Sequence, residues 1–435
     1  MTQKDALSIL KTGANAFLTG EPGAGKTYTI NQYIDWLRLH KHEPAITAST
    51  GIAATHIKGQ TIHSWSGMGI KEFLSSFDIE MLMEKEYLMK RLNKPKVLII
   101  DEVSMISAQF LDSLDQLLRR ARGSEHAFGG MQVIFVGDFF QLPPVSRNEV
   151  QYAFASNAWR NTNPLILYLD EQFRQHDEAF VSLLKSIRSA DVDEGVFATL
   201  EERVCYDEVD SDATRLYTHN SNVDQENTRK LEELTGKVKV FSMKGEGKKD
   251  HIEVLKKGCM SPDTLALKIN AKVMFTKNNP QAKYVNGTLG LVCGFSALGY
   301  PLVETASGDI IEALPLEWAS ELDGKVLAKV TQVPLRLAWA LTIHKSQGVT
   351  LDSAVIDLSK AFAFGQGYVA LSRLTSLSGL TLTGFRNDAL KVSPDVIVFD
   401  RASKKMAQQA REYFSHTLTQ EDVKKLHTQF IKALS

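Results

Sequence analysis

The string GEPGAGKT, Gly20 to Thr27, follows the apolar run AFLT and opens a segment of helical period from Thr27 to Leu39. It matches the GxxxxGK(S/T) pattern at every fixed position and stands in the strand–loop–helix setting that the pattern requires. Few folds other than a parallel sheet wrapped by helices accommodate that setting. The glycines let backbone N–H groups turn inward around phosphate oxygens, and the helix N-terminus adds positive potential. Lys26 would reach the β and γ phosphates of ATP, and the Thr27 hydroxyl would ligate Mg²⁺. Gly23, Ala24, Gly25 and Tyr28 are the remaining expected nucleotide contacts.

VLIIDEVSM, residues 97–105, supplies the second half of such a site. Four apolar residues end in two adjacent carboxylates, as at the exposed end of a buried strand. Asp101 would hold the metal ion, and Glu102 would orient and deprotonate an attacking water. VIFVGDFFQLPPV, residues 133–145, is a further strand end that places Gln141 to sense the γ-phosphate or that water. Taken by itself, this stretch reads equally as an ordinary buried strand followed by a stiff turn.

The first third of the chain alternates apolar runs (16–20, 44–49, 97–101, 132–138 and 165–170) with amphipathic segments, the mark of an α/β unit. A second unit of the same kind is split. It holds RLYTHN (215–220), a helix candidate from Asn222 to Leu234, AVIDL (354–358) and LTLTGF (380–385). Between its halves, roughly 240–332, short β-like runs alternate with Gly and Asn turns, which suggests an inserted small antiparallel barrel. VNGTLG within it reads as a turn in which Asn286 and Gly287 supply positive φ. The expected division is a first domain over 1–175 with a small insert at about 66–94, a second over 176–239 and 333–400, the β insert, and a helical tail over 401–435. In that tail Met406, Ala410 and Phe414 stand at helical spacing.

Net charge is −1, so any nucleic-acid contact would confine positive charge locally, as in the clusters Lys85–Lys96 and Lys244–Lys257. Cys205, Cys259 and Cys293 are widely separated and form no CxxC pair, which fits a reducing compartment and argues against a zinc or iron–sulfur site. No apolar run approaches a membrane span and no signal peptide is read, so a cytoplasmic protein without membrane contact is expected.

These stretches together resemble the superfamily 1 DNA helicases of the 5′-to-3′ branch, and within it the petite-integration-frequency (PIF) helicase family. The carrying residues are GEPGAGKT (20–27), ASTGIAATHIKGQTIHSWSG (48–67), IIDEVSM (99–105) and VGDFFQLPPV (136–145). They continue with LDEQFRQHDEAFVSLLKSIR (169–188), LTIHKSQGVTLDSAVIDL (341–358) and YVALSRLTSLSGLTL (368–382). MISAQFLDSLDQLLRRAR (105–122) sits where the family carries its own signature helix. The likeness runs from about Gln3 to Phe385.

The resemblance implies that Gln3 reads adenine and that Arg174 and Arg373 are the two arginines facing the phosphates across the cleft. It also implies that Thr50, His63, Ser64, Trp65, His344, Lys345, Ser346 and Gln347 belong to the DNA-contacting motifs. The chain begins almost at Gln3, without the long N-terminal extension of eukaryotic relatives, so a bacterial or viral origin is expected. The fold implied is two RecA-like P-loop domains facing across an ATP cleft, each with a small insert. The activity implied is ATP- and Mg²⁺-dependent translocation on single-stranded DNA and unwinding of forked or structured DNA, by a protein monomeric without DNA. Two alternatives are a RecD-like or relaxase-linked subunit of a larger complex and a non-translocating switch NTPase. TIHKSQG and ALSR in a second nucleotide-facing unit argue against the switch. The β insert rejoins the main domain just before TIHKSQG, which suggests that it closes over the DNA path.

Overall fold

The computed structural model describes residues 1–69, 71–144, 150–171, 177–205, 213–277, 279, 284, 286–305, 307–322, 325–347 and 349–434. The five apolar runs of the first third become strands β1 (Ala16–Gly20), β2 (Ala45–Ala48), β4 (Val97–Asp101), β5 (Gln132–Val136) and β6 (Leu165–Leu169), and a short polar strand that no run announced, β3 (Gln60–Thr61), joins them. They form one parallel sheet in the order β3-β2-β4-β5-β1-β6. Strands β1, β2, β4 and β5 are buried along their whole length, because helices cover both faces. The helix Ala108–Arg122 is one such cover. Ser107 caps its start by accepting from the Phe110 amide, and Phe110, Leu111, Leu114, Leu117, Leu118 and Ala121 line one buried stripe.

A second parallel sheet is assembled from segments far apart in the chain. Its order is Ala340–Thr342, Thr214–Tyr217, Ala354–Asp357, Leu380–Gly384. The two sheets belong to two RecA-like domains, and the strand ends that carry the motifs face each other.

Between the halves of the second domain lie antiparallel strands, as their turn-rich texture implies. They do not close into one barrel: among the described residues they divide into sheets of five, three and two strands. Leu335–Leu337 closes the five-stranded sheet by pairing with Lys272–Phe275. A helix, Lys249–Gly258, also lies here, where only β texture was read. The turn at 286–287 takes positive φ at Gly287 (94°), and Asn286 beside it is buried. The first domain's insert is helical, with Ser76–Met83 and Glu86–Asn93.

The C-terminal helix starts earlier than expected, at Pro394, and runs to Glu412. Its buried face is Val396, Ser403 and Ala407, whereas Met406 is exposed. Phe399 enters the first domain's aromatic cluster, stacking on Phe154 at 4.2 Å and meeting Phe139 at 5.4 Å. The last helix, Gln420–Leu434, lies along the N-terminal helix Gln3–Leu10. His427 Nε2 donates to the Ser8 carbonyl at 2.8 Å, and Phe430 stacks on Trp36.

Candidate active site

The loop after β1 turns into the helix Lys26–Leu39 through Gly25, whose φ is 86°. A side chain there is excluded twice over. The conformation is left-handed, and a Cβ would lie 1.9 Å from Gln3 Nε2. Gln3 is held in place by its own helix, which a Thr2–Asp5 capping box starts, and its amide donates to the Ala24 carbonyl at 3.3 Å. The expected adenine reader therefore sits against the loop. The Ala24 side chain is buried, so that residue presents only backbone.

Lys26 Nζ donates to the Gly20 and Glu21 carbonyls at 2.7 and 3.1 Å. Burial pushes its amine below the ordinary value, opposed by the charges of Asp138, Glu102 and Asp101. Asp101, at the end of β4, is buried, and burial together with the Glu102 charge pushes its carboxyl well above the usual carboxylate range. Its Oδ1 accepts from the Glu102 amide at 2.9 Å. Glu102 itself has φ 51° and ψ 46°, a strained setting for a non-glycine residue and one that clusters at functional sites.

Lys26, Thr27, Asp101, Glu102 and Gln141 of the first domain line a cavity of about 380 Å³ with His344, Lys345, Gln347 and Arg373 of the second. The hydroxyl of Thr27 and the carboxylate of Asp101 offer hard oxygen donors to one space. A buried carboxylate this costly to ionise gains most from a divalent cation, so these residues fit Mg²⁺.

The second wall is equally specific. Gln347, in the turn after Ala340–Thr342, donates through Nε2 to Gln141 Oε1 at 3.1 Å and to Glu102 Oε2 at 3.2 Å. Arg373 follows the helix Gln366–Leu371. It is buried, with Nε donating to the Val369 carbonyl at 2.9 Å and Nη2 to Ser372 Oγ at 2.8 Å. Arg174 lies outside the described residues.

Several residues expected on a DNA face stand elsewhere. Thr50, His344 and Lys345 line the nucleotide cavity. Burial depresses the pKa of both His344 and Lys345, and the Arg336 charge adds to the effect on Lys345. Ser346 is fully buried, its hydroxyl donating to the Ile343 carbonyl at 2.8 Å. Trp65 is 2% exposed because its helix, Ile62–Ser66, turns Ile62 and Trp65 inward together, so it offers no ring for stacking. On the same helix Ser64 is exposed, and His63 packs against Phe110 at 4.5 Å. Tyr28 is 59% exposed, accepts a hydrogen bond from Gln32, and is not part of the cavity lining.

The family of PIF1-like helicases matches residues 3–196. The chain is 41% identical, over its whole length and 75% of the relative, to the ATP-dependent DNA helicase Pif1 of Psychrobacter sp. (strain PRwf-1). Among solved structures it is similar to Bacteroides sp. Pif1 in complex with ADP-AlF4, with a TM-score of 0.80, 30% identity and 93% and 96% of the two chains covered. It is also similar to a Bacteroides Pif1 helicase in complex with ADP-AlF3 and single-stranded DNA, with a TM-score of 0.67, 30% identity and the same coverage.

Proposed function

Since the chain belongs to the PIF1-like helicase family and so to the ATP-hydrolysing DNA helicases, we propose that it moves 5′ to 3′ on single-stranded DNA and unwinds forked or structured duplexes. The direction rests on the family likeness, and the observation that supports an ATP-driven motor is the Gln347 amide, reaching from the second domain to both Gln141 and Glu102 of the first. A cleft whose two walls share hydrogen bonds at the hydrolytic residues links the state of the nucleotide to the relative position of the domains.

In this reading Lys26 and the loop amides hold the β and γ phosphates. Glu102 takes the proton of the attacking water, Gln141 orients that water, and Arg373 stabilises charge developing on the γ-phosphate. Thr27 and Asp101 hold Mg²⁺, which when bound neutralises phosphate charge. Arg174 completes the set as the other phosphate-facing arginine that the family likeness implies. DNA crosses both domains, with phosphate contacts outnumbering contacts to bases. His63 and Ser64 remain candidates on the first domain, while Thr50, His344 and Lys345 stand between nucleotide and DNA and pass the state of one to the other.

The same reading has the protein monomeric without DNA and working in the cytoplasm in replication, repair or recombination. No helix among the described residues is long and apolar enough to cross a membrane. The test is unwinding of duplexes with a 5′ or a 3′ single-stranded tail, alongside ATPase activity with and without single-stranded DNA. A 5′-tail requirement and DNA-stimulated turnover are expected. A strict 3′-tail requirement places the chain in the other branch, and turnover indifferent to DNA favours the switch NTPase.

A further inference from the structure

Arg188 lies in the last turn of the helix Glu178–Ser189 and is buried, and its guanidinium reaches four separate parts of the fold. Nη1 donates to both oxygens of Asp138 at 2.8 and 2.7 Å and to the Tyr368 hydroxyl at 3.2 Å. Nη2 donates to the Tyr168 hydroxyl at 3.1 Å and to Asp400 Oδ1 at 3.4 Å. The guanidinium carbon also lies over the Phe140 ring, 4.1 Å from its centroid.

Two of these partners sit behind the opposed walls of the nucleotide cleft. Asp138 builds the turn that presents Gln141: its side chain accepts from the Phe140 amide at 3.2 Å and its carbonyl from the Gln141 amide at 2.9 Å. Tyr368 is on the helix Gln366–Leu371, whose Val369 carbonyl holds the Arg373 guanidinium. The two backbones also touch here, since a Cβ on Gly365 would lie 2.5 Å from the Phe140 carbonyl. One planar cation thus joins the segment that sets Gln141 to the segment that sets Arg373. Lysine offers a point charge and no rigid fork, and could not serve these partners at once.

The bonds differ in kind. All are buried, but those to Asp138 join the guanidinium to a carboxylate, whereas the one to Tyr368 is longer and to a neutral hydroxyl. A buried ion pair is weak as a stability device compared with apolar packing, so fold stability alone does not account for this arrangement.

We propose that Arg188 is a positioning residue that couples the placement of Gln141 to that of Arg373 through its bond to Tyr368, so that both reach the γ-phosphate together when the cleft closes. This rests on the reading that Gln141 and Arg373 act on ATP. The test is steady-state ATPase kinetics at saturating single-stranded DNA for Tyr368→Phe and Arg188→Lys, with thermal melting of each. Tyr368→Phe keeps the ring and removes one hydroxyl. It should melt with the wild type and hold KM for ATP within about twofold while kcat falls about tenfold, the scale of a misplaced catalytic group. Arg188→Lys should lose at least as much kcat. A Tyr368→Phe kcat within about twofold of wild type overturns the proposal, as does a loss that merely follows the melting temperature. Should wild-type turnover prove indifferent to DNA, the underlying functional reading fails. Should only the variants prove silent, the coupling alone fails.

Discussion

Gln347 Nε2 lies 3.1 Å from Gln141 Oε1 although 206 residues separate the two in the chain. The same amide reaches Glu102 Oε2 at 3.2 Å. Gln347→Ala removes the bridge and leaves both acceptors in place. Turnover should fall about a hundredfold, the cost of losing one preorganised donor, with nucleotide affinity little changed. Separate measurement of kcat and of the dissociation constant for a fluorescent ATP analogue checks this. An affinity loss at unchanged kcat would assign Gln347 to ground-state binding instead.

Glu102→Gln should bind ATP and single-stranded DNA as the wild type does and hydrolyse almost none, because the water loses its base. Lys26→Ala should lose turnover through the phosphates as well. A single-turnover assay distinguishes the two from slow product release. Near-normal hydrolysis by Glu102→Gln would remove that residue from its role.

Gly25→Ala meets both the left-handed backbone and the Gln3 amide. The strain should cost on the order of 1–3 kcal/mol, and displacement of Gln3 should weaken nucleotide binding. Thermal melting and ATP affinity should therefore both decline. Intact affinity would show that the loop tolerates a Cβ by moving Gln3 without consequence.

Asp101 gives a pH signature. Its folded carboxyl titrates above the ordinary 3.8, raised by burial and by Glu102. Between those two values the folded state holds the extra proton. The stabilisation is therefore complete below the unfolded value and is lost as pH rises through the folded one. Asp101→Asn escapes that loss, so the melting temperature of variant minus wild type, without nucleotide or metal, should grow from about pH 5 to about pH 8. A difference independent of pH contradicts the assignment.

The β-rich insert is expected to cover the DNA path. Replacing residues 239–337, its first strand through its last, with a Gly/Ser linker should leave a folded ATPase. DNA binding should weaken, the salt slope of binding should be shallower because phosphate contacts are lost, and unwinding should be poor. A folded deletion with unaltered DNA affinity and unwinding would make the insert a stabilising element only.

What could be read ahead of the structure was local. GEPGAGKT and the Asp101–Glu102 pair lie at single strand ends, and a short string specifies both the backbone path and the chemistry. The parallel sheets were largely legible for the same reason, since most of their strands are apolar runs, whereas the polar strand Gln60–Thr61 gave no such signal. Burial of individual motif residues was not legible. TIHSW does not say which side of one helical turn meets the core, and Trp65 faces inward because Ile62, three residues before it, does too. Ser346 likewise spends its hydroxyl on its own turn. Arg188 gave no local signal, because its partners come from residues 138, 168, 368 and 400 and only the assembled fold brings them together.

Phe399 stacks on Phe154 and packs near Phe17 and Trp159, in the heart of the first domain. The last helix then lies over Trp36 and Gly13. During synthesis the nucleotide-binding loop is therefore made early, on a sheet whose aromatic flank stays uncovered until residues 394–434 emerge. Contacts closing over so long a stretch form late, and a segment released without them presents a sticky surface. The ATPase thus acquires its finished first domain only after the second has been made.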